Sequence, residues 1–216
     1  MISALILDFD GVILESVAVK TGAFRRLFSF APKHLDEIIE FHLQNGGMSR
    51  FDKFRYIYAH ILNEELDDEK FAQLSSRFSA LVFDAVVGAP FVKGAYEFLE
   101  RFHRILPLYI VSATPEPELL EIIRRRSLEG FFRKVYGAPR TKADCIREIL
   151  ETSGAEPEET LFVGDAPNDW QSARETGVRF VARLTHGEPN RFINLAGVEW
   201  FVTDLNGLRD YILEAV

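Results

Sequence analysis

Short apolar runs that stop abruptly at a polar residue are the feature that most constrains the fold of this chain. The three clearest are Ala4–Leu7 before Asp8, Leu108–Val111 before Ser112, and Leu161–Val163 before Gly164-Asp165. Continuous runs of this length are typical of strands that are buried on both faces of a parallel sheet. Two weaker runs, Phe180–Ala182 and Trp200–Val202, belong to the same set. The pattern predicts an α/β protein in which each strand ends at a polar residue.

Helical patterns lie between these runs. Apolar residues recur at helical spacing in four segments, which are Ala95–Phe102, Glu116–Arg126, Ala143–Glu151 and Asn168–Glu175. Strands that alternate with helices form right-handed crossover units, so the sequence predicts a doubly wound, mostly parallel, Rossmann-like sheet.

One stretch, residues 16–88, breaks the alternation. It shows no convincing strand but has helical spacing in four segments, which are Phe24–Phe28, Leu35–Leu43, Phe51–Leu62 and Phe71–Val86. Many of the 19 phenylalanines fall in it, as expected of packing within a helical bundle. We therefore predict an all-helical second domain at 16–88, inserted into an α/β core formed by 1–15 and 89–216. Gly88-Ala89-Pro90 is the predicted hinge.

The composition excludes several classes of protein. The chain has 33 acidic against 25 basic residues and no block of Lys or Arg, so nucleic-acid binding, which depends on neutralising phosphates, is not expected. No run approaches the roughly 18 apolar residues of a membrane span, and the apolar stretch before Asp8 is too short for a secretory signal. Cys145 is the single cysteine, so an intramolecular disulfide is excluded, inert packing is predicted for its thiol, and a cytoplasmic location is expected.

The polar residues that end the strands are the candidates for chemistry. In an open parallel sheet, ligands bind beyond the carboxyl ends of the strands. If the three clearest strands are neighbours, the carboxylates of Asp8, Asp10, Asp165 and Asp169 converge there, next to Ser112. Carboxylates gathered in a crevice repel one another unless a cation neutralises them. A hard divalent ion with oxygen ligands, Mg²⁺ above all, is the simplest solution.

Lys142 indicates the same chemistry. It precedes the helical segment Ala143–Glu151, and the spacing of Thr141 and Asp144 predicts a capping pair at the start of that helix. A cation in the first turn opposes the helix dipole, so an anion is expected beside it. A bound phosphate or a carboxylate at the sheet edge would supply that anion.

Each of these motifs is weak by itself, but their order along the chain is specific. Asp-x-Asp-Gly can also open a calcium loop, yet Ile13 and Val19 stand where an EF-hand needs Gly and an acid. With that reading excluded, the sequence resembles the haloacid dehalogenase-type phosphohydrolase superfamily, in the subgroup with a helical cap after the first motif. The four matching motifs are Asp8-Phe9-Asp10-Gly11-Val12, Ser112, Lys142, and Gly164-Asp165-x-x-x-Asp169.

The resemblance implies roles for the reacting residues. Asp8 would be the nucleophile that becomes an aspartyl-phosphate. Asp10 would be the general acid toward the leaving oxygen and then the base toward water. Ser112 and the Ala113 amide would bind phosphoryl oxygens, and Lys142 would balance charge on the nucleophile and the phosphate.

The resemblance also implies a metal site and a close turn. Mg²⁺ would be held by the Asp8 carboxylate, the Asp10 carbonyl and Asp165, with Asp169 bound directly or through water. Gly11 would let the turn pass close to the ligand.

Two lysines bear on the choice of subgroup. The β-phosphoglucomutase type has a histidine at the position of Lys20, so plain hydrolysis is favoured over phosphoryl transfer between sugar hydroxyls. A phosphonoacetaldehyde hydrolase uses a cap lysine as a Schiff base, for which Lys20 and Lys53 are candidates, but that enzyme lacks the acid found here at Asp10.

The loop Asn45-Gly46-Gly47-Met48-Ser49-Arg50 is the predicted specificity segment of the cap. The Arg50 guanidinium could bind a distal anionic or hydroxylated group of the substrate, and Lys53 follows on the same helix. The alternative is that Ser49 caps the helix and Arg50 is solvated. Among the five histidines, His186 is the one we predict could act at the site.

The sequence therefore predicts a Mg²⁺-dependent phosphatase that hydrolyses a small phosphorylated metabolite. A phosphosugar mutase is the alternative enzyme, and a catalytically idle protein that binds a phosphorylated ligand is the alternative from another class. The sequence does not determine the oligomeric state or the leaving group.

Overall fold

A six-stranded parallel sheet forms the centre of the molecule, and the computed structural model describes residues 2–214. The strands are β1 Ala4–Leu7, β2 Leu108–Pro115, β3 Lys134–Ala138, β4 Thr160–Gly164, β5 Arg179–Arg183 and β6 Trp200–Val202. Their order across the sheet is β3-β2-β1-β4-β5-β6, and every neighbouring pair is parallel. The predicted α/β, doubly wound fold is confirmed.

The sequence pattern missed β3. Its sequence, Lys134-Val135-Tyr136-Gly137-Ala138, starts with an exposed lysine and has a glycine in its second half, so it lacks a continuous apolar run. This strand lies at the edge of the sheet, where one backbone edge is unpaired and burial is less complete.

The strand order changes direction between β1 and β4, which is the topological switch point of the sheet. Successive strands β1, β2 and β3 build one half, and β4, β5 and β6 build the other. Loops that leave β1 and β4 therefore diverge to opposite sides and open a crevice at the carboxyl edge of the sheet. The strand pairing Leu7–Val163 places Asp8 and Gly164, the next residues, side by side at this crevice.

Nine α-helices surround or cap the sheet in the described residues. Between β1 and β2 lie α1 Val17–Leu27, α2 Leu35–Gln44, α3 Arg50–Tyr56, α4 Asp68–Val87 and α5 Ala95–Phe102. The later helices are α6 Glu116–Arg125, α7 Lys142–Ser153, α8 Pro167–Thr176 and α9 Leu205–Glu214. A π-helical segment, Ile57–Leu62, continues α3, and short 3₁₀ turns occupy Glu129–Phe131 and Pro157–Glu159.

Helices α1 to α4 form the predicted helical region, and their core is aromatic. Phe24, Phe28, Phe54 and Phe78 are buried, with the Phe24 ring 5.0 Å from that of Phe78 and 5.8 Å from that of Phe54. Two chain segments connect this region to the sheet. They meet in an isolated antiparallel β-bridge between Leu14 and Phe91. The division at 16–88 remains a prediction, because the apolar cluster of these helices is continuous with one face of the sheet.

Within residues 2–214, none of the helices is both long enough and apolar enough to cross a membrane.

Candidate active site

The nucleophile candidate, Asp8, lies at the crevice between β1 and β4. The carboxylate accepts a hydrogen bond from the amide of Phe9 at 2.7 Å, and its other oxygen lies 2.8 Å from Lys142 Nζ. Burial raises the pKa of Asp8; Lys142 opposes that effect, while the carboxylates of Asp169 and Asp10 add to it. Asp8 is therefore a carboxylate whose charge depends on neighbouring cations.

Lys142 is the buried cation that joins two of these carboxylates. Thr141 caps α7 by accepting from the Asp144 amide at 3.1 Å, as predicted, and this cap fixes Lys142 at the first helical position. Its ammonium contacts Asp8 and also Asp169, at 2.5 Å. Burial lowers the pKa of Lys142, but Asp169 and Asp8 outweigh burial and raise it. The predicted anion beside the first turn of this helix is thus a pair of carboxylates.

Asp8 and Asp169 each accept a hydrogen bond from a protein donor. Asp165, the third carboxylate beside them, has no such donor within residues 2–214. Burial raises the pKa of Asp165 well above its ordinary value, and Asp8 and Asp169 raise it further. Gly11 lies directly beside it. A Cβ built on Gly11 would stand 2.1 Å from Asp165 Oδ2, and its φ of +76° is unfavourable for other residues. Gly11 therefore makes room for Asp165.

The carboxylates form a group that fits a divalent cation. Asp8, Asp165 and Asp169 each offer an oxygen, and the three oxygens lie within 4.8 Å of one another. Lys142 supplies one positive charge for three carboxylates, and Asp165 lacks a donor. Oxygen ligands of this kind suit Mg²⁺, so the residues present are compatible with the predicted metal.

Asp169 has a different environment from Asp165. Its side chain is completely buried, with Oδ1 bound to Lys142 and Oδ2 accepting from the Ala166 amide at 3.0 Å. A Cβ on Gly164 would stand 2.3 Å from Asp169 Cβ. The close approach of β4 and α8 at Gly164 therefore allows Asp169 to reach the cluster.

Asp10 is held by three donors. Ser16 Oγ lies 2.5 Å from Oδ1, Thr114 Oγ1 lies 2.8 Å from Oδ2, and Lys20 forms an ion pair with Oδ2. Burial raises the pKa of Asp10, but Lys20 and the two hydroxyls outweigh burial and hold it below the ordinary value. Asp10 is therefore ionised when Lys20 is in contact with it.

Ser112 and Ala113 follow the end of the apolar part of β2 and line the same cavity as Asp8. The Ser112 hydroxyl oxygen accepts from the Thr114 amide at 3.1 Å. Its own hydrogen is then free to donate to a ligand. This arrangement is compatible with the predicted binding of a phosphoryl oxygen.

Arg50 is engaged in an ion pair that joins the helical region to the core. Its guanidinium donates to both oxygens of Glu118 on α6, at 2.5 and 3.0 Å, and to Ser79 Oγ at 2.8 Å. Ser49 caps α3 as the alternative reading expected, but Arg50 is buried, not solvated. The predicted contact of Arg50 with substrate stays a prediction, and Glu118 already occupies its hydrogen-bonding face.

Lys53 lines the same cavity as the carboxylates of Asp8, Asp10 and Asp165. Its ammonium is 3.1 Å from His42 Nδ1 and 3.1 Å from the His42 carbonyl oxygen, and its side chain is 4% exposed. Burial lowers the pKa of Lys53 to about 7, and the charges of Lys20 and Arg191 lower it further. The predicted substrate role of Lys53 is untested, but its position in the cavity is compatible with that role.

Sequence reasoning missed three residues at this site. Thr114 lies near the end of β2 and Ser16 directly before α1, where hydroxyls usually bond the nearby backbone, so no local pattern marks their contacts with Asp10. His42 looked like any other histidine on a helix, and its contact with Lys53 depends on how α2 packs against α3. His186, the histidine singled out from the sequence, is exposed in the loop after β5 and is not part of the cavity lining.

The comparisons with known proteins agree with this geometry. A profile of the family described as haloacid dehalogenase-like hydrolase matches residues 5–183. Phosphoglycolate phosphatase 1 of Pseudomonas aeruginosa is 25% identical over 189 residues, covering 83% of this chain and 68% of that protein. A solved hydrolase from Pseudomonas syringae superposes with a TM-score of 0.81 at 19% identity, covering 98% of both chains. A β-phosphoglucomutase from Clostridium difficile has a TM-score of 0.77 at 16% identity, covering 99% of this chain and 96% of that one.

These likenesses differ in what they establish. The two structures, at this low identity, show the fold alone. The family profile spans most of the chain and includes the segments that end at Asp8, Ser112, Lys142 and Asp165. The resemblance predicted from the order of the motifs is therefore confirmed, and the chain belongs to the haloacid dehalogenase-like hydrolase family.

Proposed function

We propose that this haloacid dehalogenase-like phosphatase hydrolyses a small phosphomonoester through a phosphorylated Asp8, with Mg²⁺ as its cofactor. One observation supports the proposal above all. Asp8 lies at the crevice of the sheet with Lys142 at 2.8 Å and two further carboxylates, Asp165 and Asp169, close enough to share a cation. The same cavity contains the Ser112 hydroxyl and Asp10.

In the first step an Asp8 oxygen attacks phosphorus and the bond from phosphorus to the leaving oxygen breaks. Lys20 holds Asp10 ionised in the free protein, so Asp10 must first take up a proton from solvent; it then gives that proton to the leaving oxygen, and the alcohol leaves neutral. Ser112 and the Ala113 amide bind the phosphoryl oxygens, whose charge Lys142 balances. Bound Mg²⁺ would lie among Asp8, Asp165 and Asp169 and neutralise charge on the carboxylates and the phosphoryl group.

In the second step water attacks the phosphorus of the aspartyl-phosphate. Asp10, now ionised, takes a proton from that water, and the Asp8 carboxylate leaves as inorganic phosphate forms. The contacts of Asp10 with Lys20 and Thr114 keep its carboxylate ionised and in a fixed orientation between the two steps.

Lys20 favours hydrolysis over a phosphosugar mutase, and the acid at Asp10 is one that a phosphonoacetaldehyde hydrolase lacks. The mutase type has a histidine where this chain has Lys20, and the C. difficile β-phosphoglucomutase shares the fold only. The name of the P. aeruginosa relative makes phosphoglycolate a natural member of the substrate panel.

The test is phosphate release from p-nitrophenyl phosphate, 2-phosphoglycolate and sugar phosphates, with and without Mg²⁺. Asp8→Asn should abolish turnover, and acid-quenched wild-type enzyme should contain a phosphorylated Asp8 peptide by mass spectrometry. Asp36→Asn, an exposed change on α2, is the matched control and should keep full activity. Isomerised sugar phosphate without free phosphate would establish a mutase, and no turnover of any substrate would leave the idle, ligand-binding alternative.

A further inference from the structure

The Arg50 guanidinium lines the cavity, but a carboxylate of the core already balances its charge. Arg50 is 5% exposed, and its guanidinium carbon lies 4.6 Å from the centre of the Phe78 ring, which lines the cavity as well. Both oxygens of Glu118 accept from Arg50, at 2.5 and 3.0 Å. A carboxylate bound through both oxygens is one of the stronger partners that a guanidinium finds in proteins. The cavity wall therefore contains a guanidinium without an unbalanced charge.

Glu118 is held in a fixed position and contacts Arg50 from outside the cavity. Within residues 2–214, Glu118 is not among the residues that line the cavity, and its side chain is 10% exposed. Ser79 Oγ accepts from Arg50 at 2.8 Å and donates to Glu118 at 2.6 Å, so the three side chains form a closed ring of hydrogen bonds. Glu118 lies on α6, whereas Arg50 and Ser79 lie on α3 and α4. The carboxylate is thus fixed by two helices of the helical region.

This arrangement leaves Arg50 better suited to neutral groups than to anions. A guanidinium has five N–H donors, and Glu118 and Ser79 accept three of them. Within the described residues the other two have no protein acceptor, so they remain for a hydroxyl. A phosphate that drew on the charge of Arg50 would have to displace Glu118, which leaves a buried carboxylate without its cation. That carboxylate would then lie beside the phosphate and repel it.

Resting on the proposed function, we propose that Glu118 is a specificity-determining residue: it occupies Arg50, so that a bisphosphate binds in the cavity no better than the matching monophosphate. The pair also bears on the mutase alternative. Transfer of a phosphoryl group from Asp8 to a second hydroxyl of a sugar phosphate forms a sugar bisphosphate, so a mutase has to bind two phosphates at once. Hydrolysis requires one. By neutralising Arg50, Glu118 disfavours the bisphosphate and with it the mutase reaction.

The other cationic side chains that line the cavity are paired with carboxylates, with one exception. The three pairs are Lys20 with Asp10, Arg183 with Glu15, and Arg191 with Glu188. The exception within residues 2–214 is Lys53, which meets His42 and no carboxylate. Because Lys53 is unchanged in every variant used below, differences between those variants report on Arg50 and Glu118 alone.

Binding of phosphonates tests the proposal without requiring turnover. Propylphosphonate has one phosphonate group, and propane-1,3-diphosphonate and butane-1,4-diphosphonate have a second one at increasing distance. Calorimetric titration at a fixed free Mg²⁺ concentration gives, for each protein, the ratio of diphosphonate to monophosphonate affinity. This ratio should agree within about fivefold between wild type and Arg50→Met/Glu118→Met, because Arg50 contributes nothing to it in wild type. In Glu118→Gln the freed guanidinium should raise the ratio about ten- to hundredfold, as expected of a charge-assisted hydrogen bond.

Glu121→Gln is the matched control. Glu121 lies on the same helix, is not part of the cavity lining in the described residues, and pairs with Arg124 and Arg125, so its ratio should equal that of wild type. If Glu118→Gln is too unstable to titrate, thermal unfolding replaces the titration. A diphosphonate that takes the place of Glu118 should raise the melting temperature of this variant more than propylphosphonate does, whereas the two ligands should act alike on wild type.

Three results would overturn the proposal. They are a wild-type ratio more than about fivefold above that of Arg50→Met/Glu118→Met, a Glu118→Gln ratio less than about fivefold above that of wild type for both diphosphonates, and no binding of any phosphonate. The outcome is separate from that of the hydrolase assay. A protein that gains the diphosphonate preference in Glu118→Gln but turns over no ester would keep the role of Glu118 and lose the hydrolase proposal. An active phosphatase whose ratio does not depend on Glu118 would do the reverse.

Discussion

Replacing Lys53 by Met should change how stability depends on pH. The free energy that corresponds to moving the pKa of a lysine from 10.5 to about 7 on folding is about 5 kcal/mol. Lys53 is buried, so solvent screens little of this cost. The groups that face it are His42 on α2, Lys20 on α1, Arg191 in the loop after β5, and Asp165, which alone favours its charge.

The sign follows from proton binding. Between pH 7 and 10 the unfolded chain keeps Lys53 protonated while the folded chain releases the proton, so wild-type stability rises with pH. Met removes this dependence. The difference in unfolding free energy between the Met variant and wild type should therefore fall by about 3 to 4 kcal/mol from pH 7 to pH 10.

A constant loss is superimposed on that change. Met leaves the two His42 acceptors without their donor, which costs about 1 to 2 kcal/mol at every pH. The variant should thus be more stable than wild type at pH 7, by about 2 to 3 kcal/mol, and slightly less stable at pH 10. A larger unfolding free energy of the variant at neutral pH would show that burial of the Lys53 ammonium destabilises the wild-type protein.

Urea unfolding of both proteins at pH 7, 8, 9 and 10 measures the difference, with Lys33→Met as the control that should show no pH dependence. A difference between Lys53→Met and wild type that stays flat from pH 7 to 10 would refute the reasoning, because it would mean that Lys53 keeps its ordinary pKa in the folded protein.

Three further predictions concern packing and reactivity. Arg50→Met should destabilise the protein by about 3 to 5 kcal/mol in urea, because it leaves Glu118 buried without its cation, and Arg50→Met/Glu118→Met should recover most of the loss; equal losses in the two variants would contradict this. Gly137→Ala should cost at least about 1 to 3 kcal/mol, since its Cβ would lie 2.5 Å from two backbone atoms, while Gly130→Ala, which meets nothing within 4 Å, should lie within about 0.5 kcal/mol of wild type. Cys145, whose pKa burial raises to about 11, should react with a thiol reagent at pH 7 about a hundredfold more slowly in the folded than in the unfolded protein, and fast labelling of the native protein would contradict that.

The catalytic edge of the sheet could be predicted from the sequence because it depends on local pattern and simple topology. A buried parallel strand requires a continuous apolar run, and the polar residue that ends the run must then lie at the carboxyl edge. Asp8 and Asp165 follow from this rule, and β1 and β4 are indeed neighbours. The Thr141 cap that places Lys142 is likewise a contact between residues close in sequence.

The edge strand β3 shows where that reasoning fails. An edge strand is paired on one side only and can contain Lys134 and Gly137 without losing its place in the sheet. Its position is decided by pairing with β2, a contact between distant segments that no local pattern records.

The contacts on the helical side of the cavity could not be predicted either, because they also join segments that are distant in the sequence. The sequence placed Arg50 and Lys53 on one helix but could not distinguish their partners. In the structure Arg50 pairs with Glu118, 68 residues away, while Lys53 meets His42 and no carboxylate within the described residues.

The sequence by itself thus determined the fold class, the family and the group of carboxylates at the sheet edge, since strand length, helix capping and motif order are properties of neighbouring residues. Only the tertiary structure decided which cations pair with a carboxylate, as Lys20 and Lys142 do, and which, within the described residues, does not, as with Lys53. Those pairings depend on how α1 to α4 pack over the sheet, and that packing is a sum of many weak contacts between segments far apart in the chain.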